Sequence, residues 1–330
     1  MTETSALGSL PWHEDAWRQL QSAWNERRWP HGLLVHGPEG VGTHAMALRI
    51  AAGLLCENHE GRLDACGECG ACKLRIAGTH PDWLAISPEE DKQQISVDQI
   101  REAATKLTMT SYRQGYKVTV IQPAHQMTMA AANSLLKTLE EPTPRTALIL
   151  VTSRLGALLP TLRSRCQQLK IAAPSTHLAQ SWLASQGKTV SDRLLRFCSG
   201  APLRALSLAD GSFDTLWSGV EQDIAAFLGG NEDVTHIAKR WANEQLPDRL
   251  ACVDYLIAEK LRNTVVGTDD RITRTPLPSA VSQLNISRMF ACLDRVRALQ
   301  AQLTRTALQR ELAVDALLVE LHEAFANRSS

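Results

Sequence analysis

The chain has 330 residues, of which 44% are apolar, and a formal net charge of zero. That length exceeds one ordinary core and fits two or three domains. The balanced charge excludes a molecule that holds nucleic acid or membrane through its overall electrostatics, although local basic patches are not excluded.

The opening MTETSALGSLPWHED has neither a basic start nor a long apolar run, so it does not read as a secretory signal. No stretch approaches the roughly 18 apolar residues of a membrane span. The expectation is a cytoplasmic protein without membrane contact. Its eight cysteines are then thiols or metal ligands rather than disulfides.

In chain order, the first half alternates short apolar strands with helical stretches. GLLVHG (32–37) reads as a buried strand running into a glycine loop, and THAMALRIAAGLLC (43–56) follows with Met46, Ile50 and Leu54 at helical spacing. WLAI (83–86) is a second strand. ISVDQIREAATKLTM (95–109) predicts a helix with Ser96 and Gln99 as a capping box. KVTVI (117–121) and TALILVT (146–152) are continuous apolar runs, the signature of strands covered on both faces. Between them AAANSLLKTLEEP (130–142) predicts a helix with Leu135, Leu136 and Leu139 on its apolar side, ended by Pro142. CQQLKI (166–171) is a weaker last strand. Such alternation means a parallel sheet with helices on both faces.

After about residue 172 the strand signal stops. THLAQSWLAS, VSDRLLRFCSG and APLRALSLA read as three small helices, with Gly200 as a stop. The remainder is helical except for a polar, proline-bearing loop over 264–282. Met289, Leu293, Val296, Leu299 and Leu303 form one apolar stripe, and Leu308, Leu312, Leu318, Leu321 and Phe325 a second, as in two packed helices. The fold class is therefore α/β followed by all-α.

HGPEGVGTHA (36–45) has the outline of a phosphate-binding loop, G-x-x-x-x-G-K-S/T, at Gly37 and Gly42, with Gly40 between them. In a working loop, backbone N–H groups cradle the phosphates, the lysine neutralises them and the hydroxyl holds magnesium. Here Thr43 stands in the lysine position and His44 in the hydroxyl position. Thr43 has no charge, and His44 is a poor ligand for magnesium, which prefers oxygen. The residues read as a tight strand-to-helix turn without ATP or Mg2+. A second part is missing as well. The strand KVTVI should be followed by carboxylates that hold magnesium, but Gln122 and Pro123 follow it.

Cys56, Cys66, Cys69 and Cys72 form C-x9-C-x2-C-x2-C with small turn residues between them. Four thiolates this close can surround zinc, and a site with four protein ligands has no open position, so its role is structural. His59 and His80 are nearby substitutes; free thiols and an iron–sulfur cluster are the other readings. Cys166, Cys198, Cys252 and Cys292 are scattered and read as core residues. TLRSRC (161–166) places Arg163 and Arg165 at the end of a loop beside the sheet. Such an arginine is either a surface residue in a salt bridge or a guanidinium that reaches a phosphate on another subunit.

GPEGVG, the Cys56–Cys72 cluster behind the loop helix, GTHPDW (78–83), AANSLLKTLEEP (132–142) and LRSRC (162–166) occur in an order that is not generic. Over most of residues 10–210 the chain resembles the clamp-loader branch of the AAA+ family, in the part that serves bacterial DNA polymerase III. The resemblance implies three domains. Residues 1–171 would be a RecA-like domain with a zinc module at 56–72, 172–211 a three-helix lid, and 212–330 a helical collar. It implies that Arg165 is an arginine finger that acts in trans on a neighbour's ATP. It implies Cys56, Cys66, Cys69 and Cys72 as ligands of structural Zn2+, and a degenerate loop at Gly37, Gly40, Gly42, Thr43 and His44.

The implied partners are the ATPase (gamma/tau) and clamp-opening (delta) subunits and, through the complex, the sliding clamp and primer-template DNA. The chain would be a rigid stator that does not hydrolyse ATP. In ATP-binding relatives a sensor arginine sits in a G-x-x-R stretch of the lid. Here Gly200-Ala201-Pro202-Leu203 puts leucine there, and Arg204 comes one place late. Two rivals remain: a self-sufficient ATPase with an atypical site, and a zinc-dependent nucleic-acid module without ring partners. Residues 56–75 argue against the second, because Arg62, Lys73 and Arg75 are outnumbered by Glu57, Glu60, Asp64 and Glu68.

Overall fold

The structure, a computed structural model, describes residues 10–59, 61–266, 286–303 and 310–325. It divides into two compact units, Met1–Ser207 and Leu208–Ser330.

The first unit is built on strands β1 (Gly32–His36), β2 (Trp83–Ile86), β3 (Lys117–Ile121), β4 (Thr146–Thr152) and β5 (Gln167–Lys170). They form one parallel sheet in the order β2-β3-β4-β1-β5. Val35 pairs with Val151 on one side and Leu169 on the other, so β1 lies inside the sheet. Strands β3 and β4 are buried along their whole length, which is why they read as unbroken apolar runs.

Helices α1 (Glu14–Asn25), α2 (Thr43–Leu55), α3 (Gly70–Ile76), α4 (Val97–Thr108), α5 (Met129–Glu140) and α6 (Pro160–Arg165) belong to this part. Neighbouring strand residues point to opposite faces, and each face has its own core. Leu33, Val35, Val118, Val120, Ile149 and Val151 pack with Trp17, Leu20, Met46, Ile50 and Leu54. Leu34, Ile121, Leu148 and Leu150 pack with Ile100, Leu107, Leu135, Leu139 and Leu162.

Helix α4 begins with the expected capping box: Ser96 Oγ accepts from the Gln99 N–H, and Gln99 Oε1 accepts from the Ser96 N–H. Arg163 and Arg165 do not lie at a loop end as the sequence suggested. Pro160, pre-set for a first helical position, opens α6, and both arginines sit in its last turn. Helices α7 (Thr176–Ser185), α8 (Asp192–Phe197) and α9 (Pro202–Ser207) complete the unit. Ser175 and Ser191 cap the first two, and Gly200 follows α8 with φ +76°.

The second unit is helical: α10 (Ser212–Leu228), α11 (Val234–Trp241), α12 (Leu246–Val266), α13 (Ile286–Leu303) and α14 (Arg310–Phe325). Met289, Leu293, Val296 and Leu299 are buried along α13, as their spacing indicates. On α14 the stripe is Val314, Leu317, Leu318 and Leu321, and Leu312 is 61% exposed. Leu312 was expected inside, but two residues before Val314 places it on the opposite side of a helix with 3.6 residues per turn. Leu308 and the side chains of Leu303 and Phe325 lie outside the described residues. Residues 264–266 end α12, and the rest of the loop expected over 264–282 is likewise outside. Cys166, Cys198, Cys252 and Cys292 are all buried. No helix among the described residues is long and apolar enough to cross a membrane.

Candidate functional sites: the glycine loop, the cysteine cluster and Arg165

The turn between β1 and α2 needs its glycines. Gly40 and Gly42 take φ of +85° and +83°, the left-handed region. A Cβ on Gly37 would stand 2.2 Å from the Ile171 carbonyl oxygen, and one on Gly40 would stand 2.7 Å from the Arg204 backbone nitrogen. A Cβ on Gly42 would stand 2.5 Å from Leu10 Cδ1. Protein atoms alone therefore demand glycine at all three positions. The loop is also fastened from two sides. The Val41 carbonyl accepts from Trp12 Nε1 at 2.9 Å and from His13 Nε2 at 2.8 Å. The Gly40 carbonyl accepts from the Leu203 N–H at 3.0 Å.

The charge around the loop is not that of a triphosphate cradle. Thr43 begins α2 and His44 follows it. Burial lowers His44 from its ordinary pKa of 6.5, so the imidazole is neutral at pH 7. The loop's own charge is Glu39, which is exposed. At the end of β3 the Gln122 N–H is taken by the Ile86 carbonyl, and neither Gln122 nor Pro123 offers a carboxylate. His125 Nδ1 lies 2.9 Å from Thr152 Oγ1, and burial, then Arg154, lowers its pKa against the pull of Glu39. His36 is lowered by burial, then by Lys170 and Arg163. Positive charge thus reaches the end of β1 from α6 and β5. Arg204 turns elsewhere, with its guanidinium carbon 5.5 Å from the centre of the Phe197 ring.

The structure brings Cys56, Cys66, Cys69 and Cys72 together, with their sulfurs all within 4.8 Å of one another. Three backbone amides point at sulfur at 3.4 Å: Cys66 N–H to Cys56, Cys69 N–H to Cys66, and Cys72 N–H to Cys69. Such bonds favour the thiolate. The Cys69 amide, with further hydrogen bonds, brings the Cys66 thiol down to about 6. Burial pushes the Cys72 thiol up to about 12. A cation among the four sulfurs would compensate for that burial. A tetrahedral ion with bonds of about 2.3 Å needs sulfurs about 3.8 Å apart, and Cys56 and Cys69 already lie 4.0 Å apart. The cluster can hold one metal ion.

Arg165 ends α6 with its guanidinium on Glu140 Oε1 at 2.5 Å and on the Thr161 carbonyl at 3.2 Å. Both partners of the ion pair are partly exposed, at 37% and 47%. An exposed pair of this kind is worth about 0–1 kcal/mol, so it holds the guanidinium weakly.

Sequence reasoning missed Trp12, His13 and Glu140. Trp12 and His13 sit just before α1 and carry no motif. Glu140 was in view inside LKTLEEP, but its pairing with Arg165 depends on the packing of α5 against α6. The buried His80 and Asp82 of GTHPDW have a local explanation. Asp82 accepts from Ser111 Oγ and from the Tyr112 and Arg113 amides at 3.0–3.1 Å, which pins the loop after α4.

A family model described as "DNA polymerase III, delta subunit" matches residues 12–175. The delta' subunit of DNA polymerase III from Pseudomonas aeruginosa is 35% identical over 241 residues, 72% of each chain. The delta' subunit from Escherichia coli is 33% identical over 321 residues, 94% of each chain. A solved structure of a DNA polymerase III gamma subunit-related protein from Thermotoga maritima aligns over 93% of this chain and 100% of its own, at 17% identity and a TM-score of 0.42. With a third of its residues identical nearly end to end, the chain belongs to the family of DNA polymerase III delta' subunits.

Proposed function

We propose that this chain is a clamp-loader subunit that does not hydrolyse ATP and that Arg165 completes the nucleotide site of an adjacent ATPase subunit. Its partners would be the gamma/tau and delta subunits, and the reaction served would be ATP-driven placement of the sliding clamp on primed DNA. The observation that carries the reading is the chemistry around the loop. Thr43 and neutral His44 hold the positions of the cation and the magnesium ligand, and no carboxylate follows β3. A triphosphate bound there would meet Glu39 without the lysine that normally offsets its charge.

Arg165 suits the opposite task. Its planar fork matches phosphate oxygens, and leaving Glu140 forfeits little. The metal at Cys56, Cys66, Cys69 and Cys72 would be zinc in a structural role, because four thiolates leave no open position.

Replacing Arg165 by alanine in the reconstituted loader tests the finger. One such residue carries roughly 10³–10⁵ in rate at its site, so ATPase turnover with clamp and DNA should fall. Unchanged turnover would overturn the assignment. Equilibrium dialysis of the isolated chain with ATP and magnesium should show no binding near millimolar concentration; micromolar binding would favour a self-sufficient ATPase.

A further inference from the structure

The nucleotide-loop end of the sheet is not its only concave end. Two adjoining cavities of about 550 and 390 Å³ share Trp24 and Tyr116 in their walls. Trp29, Tyr116 and Arg145 stand just before β1, β3 and β4, so this groove lies at the N-terminal ends of the parallel strands. The glycine loop follows the C-terminal end of β1, at the opposite edge. The groove runs between α1 and the cysteine segment, and Cys56 of the cysteine cluster stands in its wall.

Its wall is aromatic. Trp24 packs against Trp29 at 6.0 Å between ring centres, Tyr116 at 6.0 Å and His59 at 4.9 Å. Trp24, Trp29 and Tyr116 are all only half-buried. Its rim is cationic. Arg113 is balanced by Glu57, and the Asp82 carboxylate is occupied by a hydroxyl and two amides. Arg27 and Arg145 are exposed and have no ion-pair partner among the described residues. The backbone supplies a third observation. Of the five non-glycine residues with positive φ among the described residues, three line these cavities: Arg27 at 56°, Gln114 at 56° and Arg145 at 54°. Arg27 adopts this conformation as the residue that closes the C-terminus of α1, where its N–H bonds the Trp24 carbonyl and the Arg28 N–H bonds the Ala23 carbonyl. At Gln114 and Arg145 the left-handed region is uncommon and strained, and such residues gather at ligand clamps. Of these, Arg145 has no carboxylate partner among the described residues, and its Nη1 donates to the Gln114 carbonyl.

We propose that this groove binds single-stranded DNA. Half-buried aromatic faces offer stacking platforms to bases, and guanidinium forks beside them offer partners to the phosphates. A volume of several hundred cubic ångströms is of the size that takes a small organic ligand, here a nucleotide or two of a longer strand. The site is independent of Arg165 and of the state of the glycine loop.

The test is fluorescence anisotropy of the full chain with a fluorescein-labelled oligothymidine of about 20 nucleotides, over a series of salt concentrations. The double variant Arg27→Glu/Arg145→Glu should weaken binding about 10-fold or more. It should also flatten the slope of log affinity against log salt by about 1.4, the loss of two single-strand phosphate contacts. Trp24→Leu should weaken binding about 10-fold with the salt slope kept, because a stacking platform is lost and no charge. If circular dichroism shows Trp24→Leu unfolded, the arginine variant decides alone, since both its residues are exposed. Absence of binding by the unaltered chain at low salt would overturn the proposal, and so would equal binding by the arginine variant. If polyglutamate competes as well as oligothymidine, the groove takes an acidic peptide and the nucleic-acid assignment is wrong.

Discussion

Alanine in place of glycine inside a helix normally adds about 1 kcal/mol of stability. Gly53→Ala should do the reverse. Gly53 lies in the third turn of α2, and a Cβ there would stand 1.6 Å from the Leu63 carbonyl oxygen, where real Cβ contacts are not found under 3.0 Å. The segment at Leu63 would have to retreat by more than about 1 Å, an overpacking that costs about 1–3 kcal/mol. It is poorly placed to retreat. The Leu63 side chain is 0% exposed, its N–H donates to Gln21 Oε1 at 3.0 Å, and Gln21 Nε2 donates to the Gly61 carbonyl at 3.0 Å. Disturbing those two bonds adds about 1 kcal/mol each.

The clash therefore outweighs helix propensity, and net destabilisation should be about 2–4 kcal/mol. At roughly 2–4 °C per kcal/mol for a unit of this size, the first unit should melt about 5–15 °C lower. Thermal unfolding followed by circular dichroism reads the shift. Because Leu63 lies between Cys56 and Cys66, chelator competition should also extract metal faster from the variant. An unchanged or raised Tm would mean that the folded chain does not hold Leu63 against Gly53, and the docking of the cysteine segment on α2 would have to be rebuilt.

The zinc site proposed above predicts one zinc per chain by metal analysis, and Cys72→Ser should lower that to none while lowering Tm; retention of full zinc would exclude Cys72 as a ligand. His13 predicts a pH effect. Burial, which outweighs its bond to the Val41 carbonyl, lowers its pKa from 6.5, with Arg49 acting in the same direction. The unfolded chain therefore takes up the proton first. The contribution of neutral His13 is complete above about pH 6.5 and is lost as the pH falls below it toward the folded-state value. Tm should decline from about pH 7 to about pH 5, and His13→Gln, which keeps a donor for Val41, should make that decline shallower; an identical slope would remove His13 as a contributor.

The sheet was legible because its inner strands are short, largely apolar and separated by helices, while β5, Gln-Gln-Leu-Lys at the edge, gave the weakest signal. KVTVI and TALILVT have no other stable place than the middle of a parallel sheet, and Ser96 with Gln99 marks a helix start by local chemistry alone. The cysteine spacing was legible for a similar reason, since a metal site confined to one short segment needs little help from the fold. Arg163 and Arg165 read as loop residues because a proline marks a loop as readily as a first helical position, and α6 is only six residues long. Leu312 was misplaced because a run of leucines hides which of them keep the helical period. The aromatic groove was not legible at all. Trp24, Trp29, His59, Tyr116 and Arg145 come from separate segments, and strands of a parallel sheet gather their preceding residues at one edge only after the register is set.

The one-residue offset between Leu203 and Arg204 bears on why the glycine loop keeps its shape. Leu203 gives its N–H to the Gly40 carbonyl, and the Arg204 backbone closes over Gly40 so tightly that no Cβ could enter between them. The Arg204 Cβ is itself the atom nearest Gly40, 2.5 Å from where a glycine Cβ would stand, and from there the side chain runs to place its guanidinium carbon 5.5 Å from the centre of the Phe197 ring. Arg204 thus packs its first side-chain carbon on the loop and spends its guanidinium on Phe197, so an arginine moved one place along is not a substitute for one at 203. Trp12 and His13 close the same turn from the other side through the Val41 carbonyl. A loop fixed by donors from both flanks needs no bound phosphate to define its conformation. The glycine pattern is then explained by packing alone, while a lysine and carboxylates would be required only by a bound nucleotide, which the proposed function assigns to a neighbour.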